Sequence, residues 1–139
     1  MGLVTTLKFE DNILQIHLYN DFDLIGNVTI QVLDANCYIS QFMHFISEET
    51  FQNAFKNERI AYVTFVNVRL HYRGNGYSRI LINRAIDWLF NFGIGNFVLE
   101  VAPACMISKK ELADYYSTFG FDYLVETRKD LLMFLRKEK

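Results

Sequence analysis

Between His71 and Ile82 the chain reads HYRGNGYSRILI, with Gly74 and Gly76 one residue apart, Arg73 before them and Ser78 after. Asn75-Gly76 alone would signal a two-residue hairpin, which needs a strand on both sides. The far side is helical instead: Tyr77, Leu81, Ala85, Trp88, Leu89 and Phe92 form one stripe, and Arg79, Asn83, Asp87 and Asn91 a polar one. A Walker loop requires Lys-Ser or Lys-Thr after its last glycine, where this chain has Tyr77-Ser78. A dinucleotide fingerprint requires glycine at position 79, which is Arg79. What remains is a strand, a loop of small residues and the first turn of a helix. The first four N–H groups of a helix have no partner within it, and the dipole places about half a positive charge there. Small residues at 74, 76 and 78 let a phosphate or pyrophosphate approach those amides. A tight strand-to-helix turn without a ligand fits the same residues equally well.

Other chemistries find less support. Cys37 and Cys105 are an isolated pair, and His17, His44 and His71 lack metal-ligand spacing, so no metal is expected. Reduced thiols and a cytoplasmic location are the corresponding expectation. The net charge is −2 with no basic cluster, which argues against nucleic acid. No apolar run reaches the roughly 20 residues that span a bilayer, and the N-terminus lacks a signal-peptide pattern. MGLVTT fits the short myristoylation template, but a plain glycine before a first strand is the favoured reading.

The elements that would position the loop can be read from periodicity. With 139 residues, 51% of them hydrophobic, the chain suits one domain, 1–139, with a sizeable core. Leu3–Phe9, Ile13–Tyr19, Leu24–Leu33 and Cys37–Ile46 read as strands. They are joined by short turns at 20–23 and 34–36, and so form an antiparallel meander. Ser47 resembles an N-cap for a short helix over 48–57. Ile60–Leu70 is nearly all apolar or β-branched and reads as a central strand buried on both faces. A helix of about 16 residues follows the glycines and should end at Gly93, and Asn96–Val101 is the next strand. Strand, helix, strand is the pattern of a parallel pair. Ser108 and Glu111 form a capping box for a helix closed by Gly120. FDYLVE and LLMFLR are two final strands about a turn.

Arg73-Gly74-Asn75-Gly76-Tyr77-Ser78 resembles the Arg/Gln-x-x-Gly-x-Gly/Ala signature of the GNAT superfamily, the acyl-CoA-dependent N-acyltransferases. YYSTFGF, Tyr115–Phe121, is similar to the family's Tyr-x-x-x-Gly-Phe segment. The elements between the two motifs follow the family's order. The resemblance implies an α/β (α+β) fold with a mixed, mainly antiparallel sheet flanked by helices and splayed where the pantetheine arm would enter. It implies acetyl-CoA or another acyl-CoA as donor and an amine as acceptor. The pyrophosphate would lie on Gly74, Asn75, Gly76, Tyr77 and Ser78 behind Arg73. Main-chain groups of Val68 and Leu70 would hold the pantetheine and the thioester carbonyl, although both residues also suit ordinary core packing.

The resemblance also marks Tyr116 as the general acid for the leaving thiolate, a position that its apolar helix face would otherwise assign to the core. No carboxylate lies in Ile60–Leu70, so Glu100 is the candidate base, directly or through water; an exposed or paired structural glutamate fits it as well. His71 and His44 are more distant candidates, and Cys105 reads as an inert buried thiol. The family usually carries one or two helices where this chain has only NDFD between Tyr19 and Leu24. It often has Asn where Lys109 stands, seven residues before Tyr116. The acceptor, a small molecule or a polypeptide, is therefore open, as is assembly, with a homodimer among the alternatives. A GNAT-fold module that binds CoA without catalysis is the rival reading.

Overall fold

The computed structural model describes residues 2–34, 47–55, 58–101, 108–126 and 131–138. Seven strands form one sheet in the order β1-β2-β3-β4-β5-β7-β6. They are β1 (Leu3–Glu10), β2 (Ile13–Asn20), β3 (Asp23–Leu33), β4 (Ile60–Val68), β5 (Asn96–Glu100), β6 (Asp122–Glu126) and β7 (Leu131–Arg136). Among the described residues three α-helices accompany them: α1 (Glu48–Phe55), α2 (Tyr77–Asn91) and α3 (Lys109–Ser117). The mixed α/β class and the mainly antiparallel sheet match the expectation. The strand expected over 37–46 lies outside the described residues. The chain divides into two compact units, residues 1–32 with 62–94, and residues 33–61 with 95–139.

In the first unit, β1, β2 and β3 are the expected antiparallel meander. Strict alternation buries Leu14, Ile16 and Leu18 on one face of β2, with Gln15 and His17 on the other. The turns between the strands place Asp11, Asn12 and Asp21 at positive φ, where short polar side chains are tolerated. The Gly2 carbonyl accepts from the Asp21 N–H at 3.0 Å, and a side chain at position 2 would run into the Asp21 carboxylate. Helix α2 covers the apolar face through Leu81, Ile82, Ala85, Ile86 and Leu89. Its Trp88 and Phe92 rings flank Phe9 at 5.3 and 5.1 Å. Each large apolar side chain so buried contributes about 1.5–3 kcal/mol.

The second unit pairs β5 with β7 and β7 with β6, all antiparallel. Phe97, Val98, Leu132 and Met133 are fully buried there. Phe51 and Phe55 anchor α1, and Phe55 meets Phe134 edge-on at 6.3 Å. The Ser47 hydroxyl accepts from the Thr50 N–H at 3.2 Å, the cap expected of it. Both halves of the Ser108–Glu111 capping box are formed on α3. Arg136 donates to the side-chain Oδ1 of the buried Asn96 at 2.9 Å and pairs with Glu58 at 2.8 Å, which satisfies a polar residue buried in this core.

Candidate active site

β4 is shorter than its sequence suggests. It ends at Val68, and Leu70–Tyr72 form a single 3-10 turn before the glycines. Burial on both faces does not hold either: Phe65 is 52% and Leu70 73% exposed. A run of apolar residues without a period cannot distinguish a covered face from an open one. The correction bears on the site, because an exposed Leu70 is not there as core.

The arginines around the strand end fix the main chain. The Arg69 N–H donates to the Ile25 carbonyl at 2.7 Å, and its Nη1 to the Leu24 carbonyl at 3.1 Å, both on β3. Main-chain groups of successive strand residues point to opposite edges. With Arg69 turned toward β3, the Val68 N–H and C=O turn away from it. Consistently, the Val68 carbonyl accepts from Arg73 Nε at 2.8 Å. Arg73 thus braces the loop to the strand with one nitrogen and keeps its two terminal nitrogens for other acceptors.

The Asn75 side chain, and not only its main chain, shapes the loop. Asn75 Nδ2 donates to the carbonyls of Tyr72 at 3.1 Å and Arg73 at 3.3 Å. Gly74 and Gly76 adopt φ of +83° and +80°, the left-handed region that L side chains rarely enter. A Cβ at either position would meet nothing within 4 Å. Their side of the loop is therefore open as well as conformationally demanding. Gly76 is also the N-cap of α2 and supplies no side-chain hydrogen bond, in contrast to the serine cap of α3. The N-cap position of this helix therefore brings no side chain of its own to the first turn. Tyr77 packs edge-on against Tyr72 at 6.0 Å, and the Tyr72 hydroxyl donates to Asp23 Oδ2 at 3.3 Å. Desolvation and the adjacent Asp23 carboxylate raise the Tyr72 phenol above its ordinary value. Val68, Leu70, Arg73, Gly74, Asn75, Gly76, Tyr77 and Ser78 are thus gathered in the first unit, on the end of β4 and the start of α2.

Tyr116 and Glu100 belong to the second unit. Tyr116 lies in the last turn of α3, half-buried between Tyr115 at 5.7 Å and Phe121 at 6.2 Å. Burial, with a smaller contribution from Tyr115, raises its phenol, so the group stays protonated well past neutrality. No hydrogen bond contributes to that shift. Glu100 is the exposed last residue of β5, opposite Leu132 on β7. Among the described residues, no cluster of three His, Cys, Asp or Glu could hold a metal ion, and no helix is long and apolar enough to cross a membrane.

The model of the acetyltransferase (GNAT) family matches residues 39–121, more than half of the chain and all of the glycine loop. Solved structures agree in fold. FeeM, an N-acyl amino acid synthase from uncultured soil microbes, superposes with a TM-score of 0.68 at 12% identity, over 94% of this chain and 75% of that one. The PaiA N-acetyltransferase of Thermoplasma acidophilum, solved with coenzyme A, gives 0.63 at 16% identity over 91% of this chain. This chain spans only 62% of the PaiA chain. Arabidopsis thaliana NAA60 with acetyl-CoA gives 0.62 at 17% identity over 91% of this chain and 77% of its own. No curated protein sequence matches.

Proposed function

The chain belongs to the GNAT acetyltransferase family, and from that premise we propose that it is a single-domain enzyme moving an acetyl group from acetyl-CoA to a primary amine by direct attack. The observation that carries this reading is the α2 start: left-handed Gly74 and Gly76 with open space beside them, and an N-cap that brings no side chain. Its main-chain amides and dipole suit the CoA pyrophosphate. The pantetheine arm then runs along the Val68 main chain, which is turned away from β3.

In the proposed reaction the amine lone pair attacks the thioester carbonyl carbon, and the carbonyl π electrons move to oxygen. A main-chain N–H at Val68 or Leu70 stabilises that oxyanion. Glu100, directly or through water, takes the proton of the attacking nitrogen. Collapse re-forms the carbonyl, breaks the carbon–sulfur bond and expels CoA thiolate, whose conjugate acid has a pKa of about 8.5 by analogy with cysteine. Tyr116, kept neutral by burial, gives that sulfur its proton.

The acceptor side is bare. β2 and β3 are joined by a tight turn whose Phe22 is 98% exposed, where the family usually builds helices. Less cover suits a polypeptide or another large amine better than a small metabolite. A cytoplasmic setting fits the reduced thiols that the sequence leads one to expect. Thiol release from acetyl-CoA across a panel of peptide and small-molecule amines tests the proposal. Turnover above the hydrolytic background supports it. Acetyl-CoA binding with no turnover on any amine would replace it with a CoA-binding module, and absence of binding would remove the donor site.

A further inference from the structure

Gly26, near the start of β3, carries none of the motifs that point to the donor loop. Its backbone is not in the left-handed region, so it is not required for a turn. It is required for space. A Cβ at position 26 would collide with the Asn67 carbonyl oxygen and stand 3.0 Å from Val68 Cα and 3.1 Å from the Asn67 carbonyl carbon. These are main-chain atoms of β4, which cannot rotate aside as a flexible side chain would. The register of β3 on β2 shifts at this point, between Leu18, opposite Gly26, and Tyr19. Arg69, the residue just past the end of β4, is held from the same short stretch of β3: its N–H by the Ile25 carbonyl and its Nη1 by the Leu24 carbonyl. Leu24, Ile25 and Gly26 therefore act as a seat for Asn67–Arg69, with Gly26 setting its height.

We infer that Gly26 is a positioning residue for acetyl transfer, the bare spot on β3 that lets the end of β4 sit where its Val68 main chain meets the thioester. The inference rests on the proposed acetyl-CoA reading. It assigns Gly26 a role distinct from the loop glycines, which face open space and no neighbouring backbone.

The test is Gly26→Ala. The methyl must push the Asn67–Val68 backbone away, and a misplacement of about 1 Å at a reacting centre can cost about 10²-fold in rate. The pyrophosphate loop is closed on itself by Asn75, whose bonds to the Tyr72 and Arg73 carbonyls do not involve β4, and only the bond from Arg73 Nε reaches the Val68 carbonyl. The expected result is a fall in kcat of at least about tenfold, with CoA affinity by calorimetry changed by less than about threefold. Val28→Ala, a truncation of a fully buried residue on the same strand, is the control: it should lower the melting temperature and leave kcat within about twofold. Arg69→Met is a gentler second variant, because Arg69 is exposed and its loss removes the bond to Leu24 and a positive charge near Tyr72 but creates no clash. It should lower kcat in the same selective way, and it keeps the inference testable if Gly26→Ala does not fold. Wild-type kcat in Gly26→Ala, or in Arg69→Met where the former is unfolded, overturns the inference, as does an equal loss in Val28→Ala. A wild-type chain that turns over beside an unaffected Gly26→Ala refutes this inference alone. A wild-type chain that binds no acetyl-CoA refutes the donor reading and takes this inference with it.

Discussion

Gly76→Ala and Gly93→Ala form a matched pair that isolates the donor loop from the stability of its helix. The two glycines bracket α2, at φ of +80° and +103°, and a Cβ at either would meet nothing within 4 Å. Neither substitution creates a clash, so both costs are conformational, about 1–2 kcal/mol for an L residue held in the left-handed region. In a chain of this size that corresponds to a fall of about 3–8 °C in melting temperature. Gly93 closes the helix, with its N–H on the Phe90 carbonyl at 3.1 Å and Ile94 N–H on the Leu89 carbonyl at 2.9 Å. Gly76 opens it, and the empty space beside it is where the pyrophosphate should lie. Calorimetric titration with acetyl-CoA should therefore show affinity weakened at least about tenfold in Gly76→Ala, equivalent to about 1.4 kcal/mol. Gly93→Ala should bind as the wild type does despite a similar melting temperature. Gly76→Val should bind more weakly still. If both alanine variants bind alike, at wild-type strength or equally weakened, the loop is a turn and the pyrophosphate lies elsewhere.

Further expectations follow from the same geometry. Tyr116→Phe should lower turnover about 10²–10⁴-fold with unchanged acetyl-CoA affinity, and full turnover in that variant would remove the general acid. Its melting temperature should hardly move near neutrality, since the ring packing against Tyr115 and Phe121 is kept. The raised phenol also sets a sign at alkaline pH. The unfolded chain loses this proton first, at about pH 10, so stability present below that value declines as pH rises toward the folded-state pKa. Tyr116→Phe should flatten that decline in thermal melts taken from pH 9 to 11, and an identical slope would contradict burial as the cause. Asn75→Ala removes both loop-closing bonds; it should weaken acetyl-CoA severalfold by calorimetry without altering pH dependence. Ser108→Ala removes the α3 cap and should cost about 0.5–2 kcal/mol in denaturant unfolding while leaving donor affinity intact.

What could be read from the residues and what could not divide along a physical line. Signals completed within a few residues were legible. The alternation of Leu14, Ile16 and Leu18, the Ser108–Glu111 box and the glycines at the ends of α2 each carry their partner or their period nearby. The broader apolar face of α2 was only half seen. Ile82 and Ile86 are buried beside the expected Leu81, Ala85 and Leu89, because a helix packed on a sheet covers more than one stripe. Features completed by a distant segment were not legible. Nothing around Gly26 announces that the backbone of Asn67 will cross it, and nothing in IAYVTFVNVRL says which apolar residue will be left at the surface. On the proposed reading, the loop motif marks where a donor would be held but not how accurately the reacting carbonyl would be placed. That second property rests on the fit of β4 over β3, where one methyl group is enough to change it. A chain that kept every motif residue but carried a side chain at position 26 should retain the anion site and lose the geometry for transfer, which is why binding and turnover must be measured on the same variants.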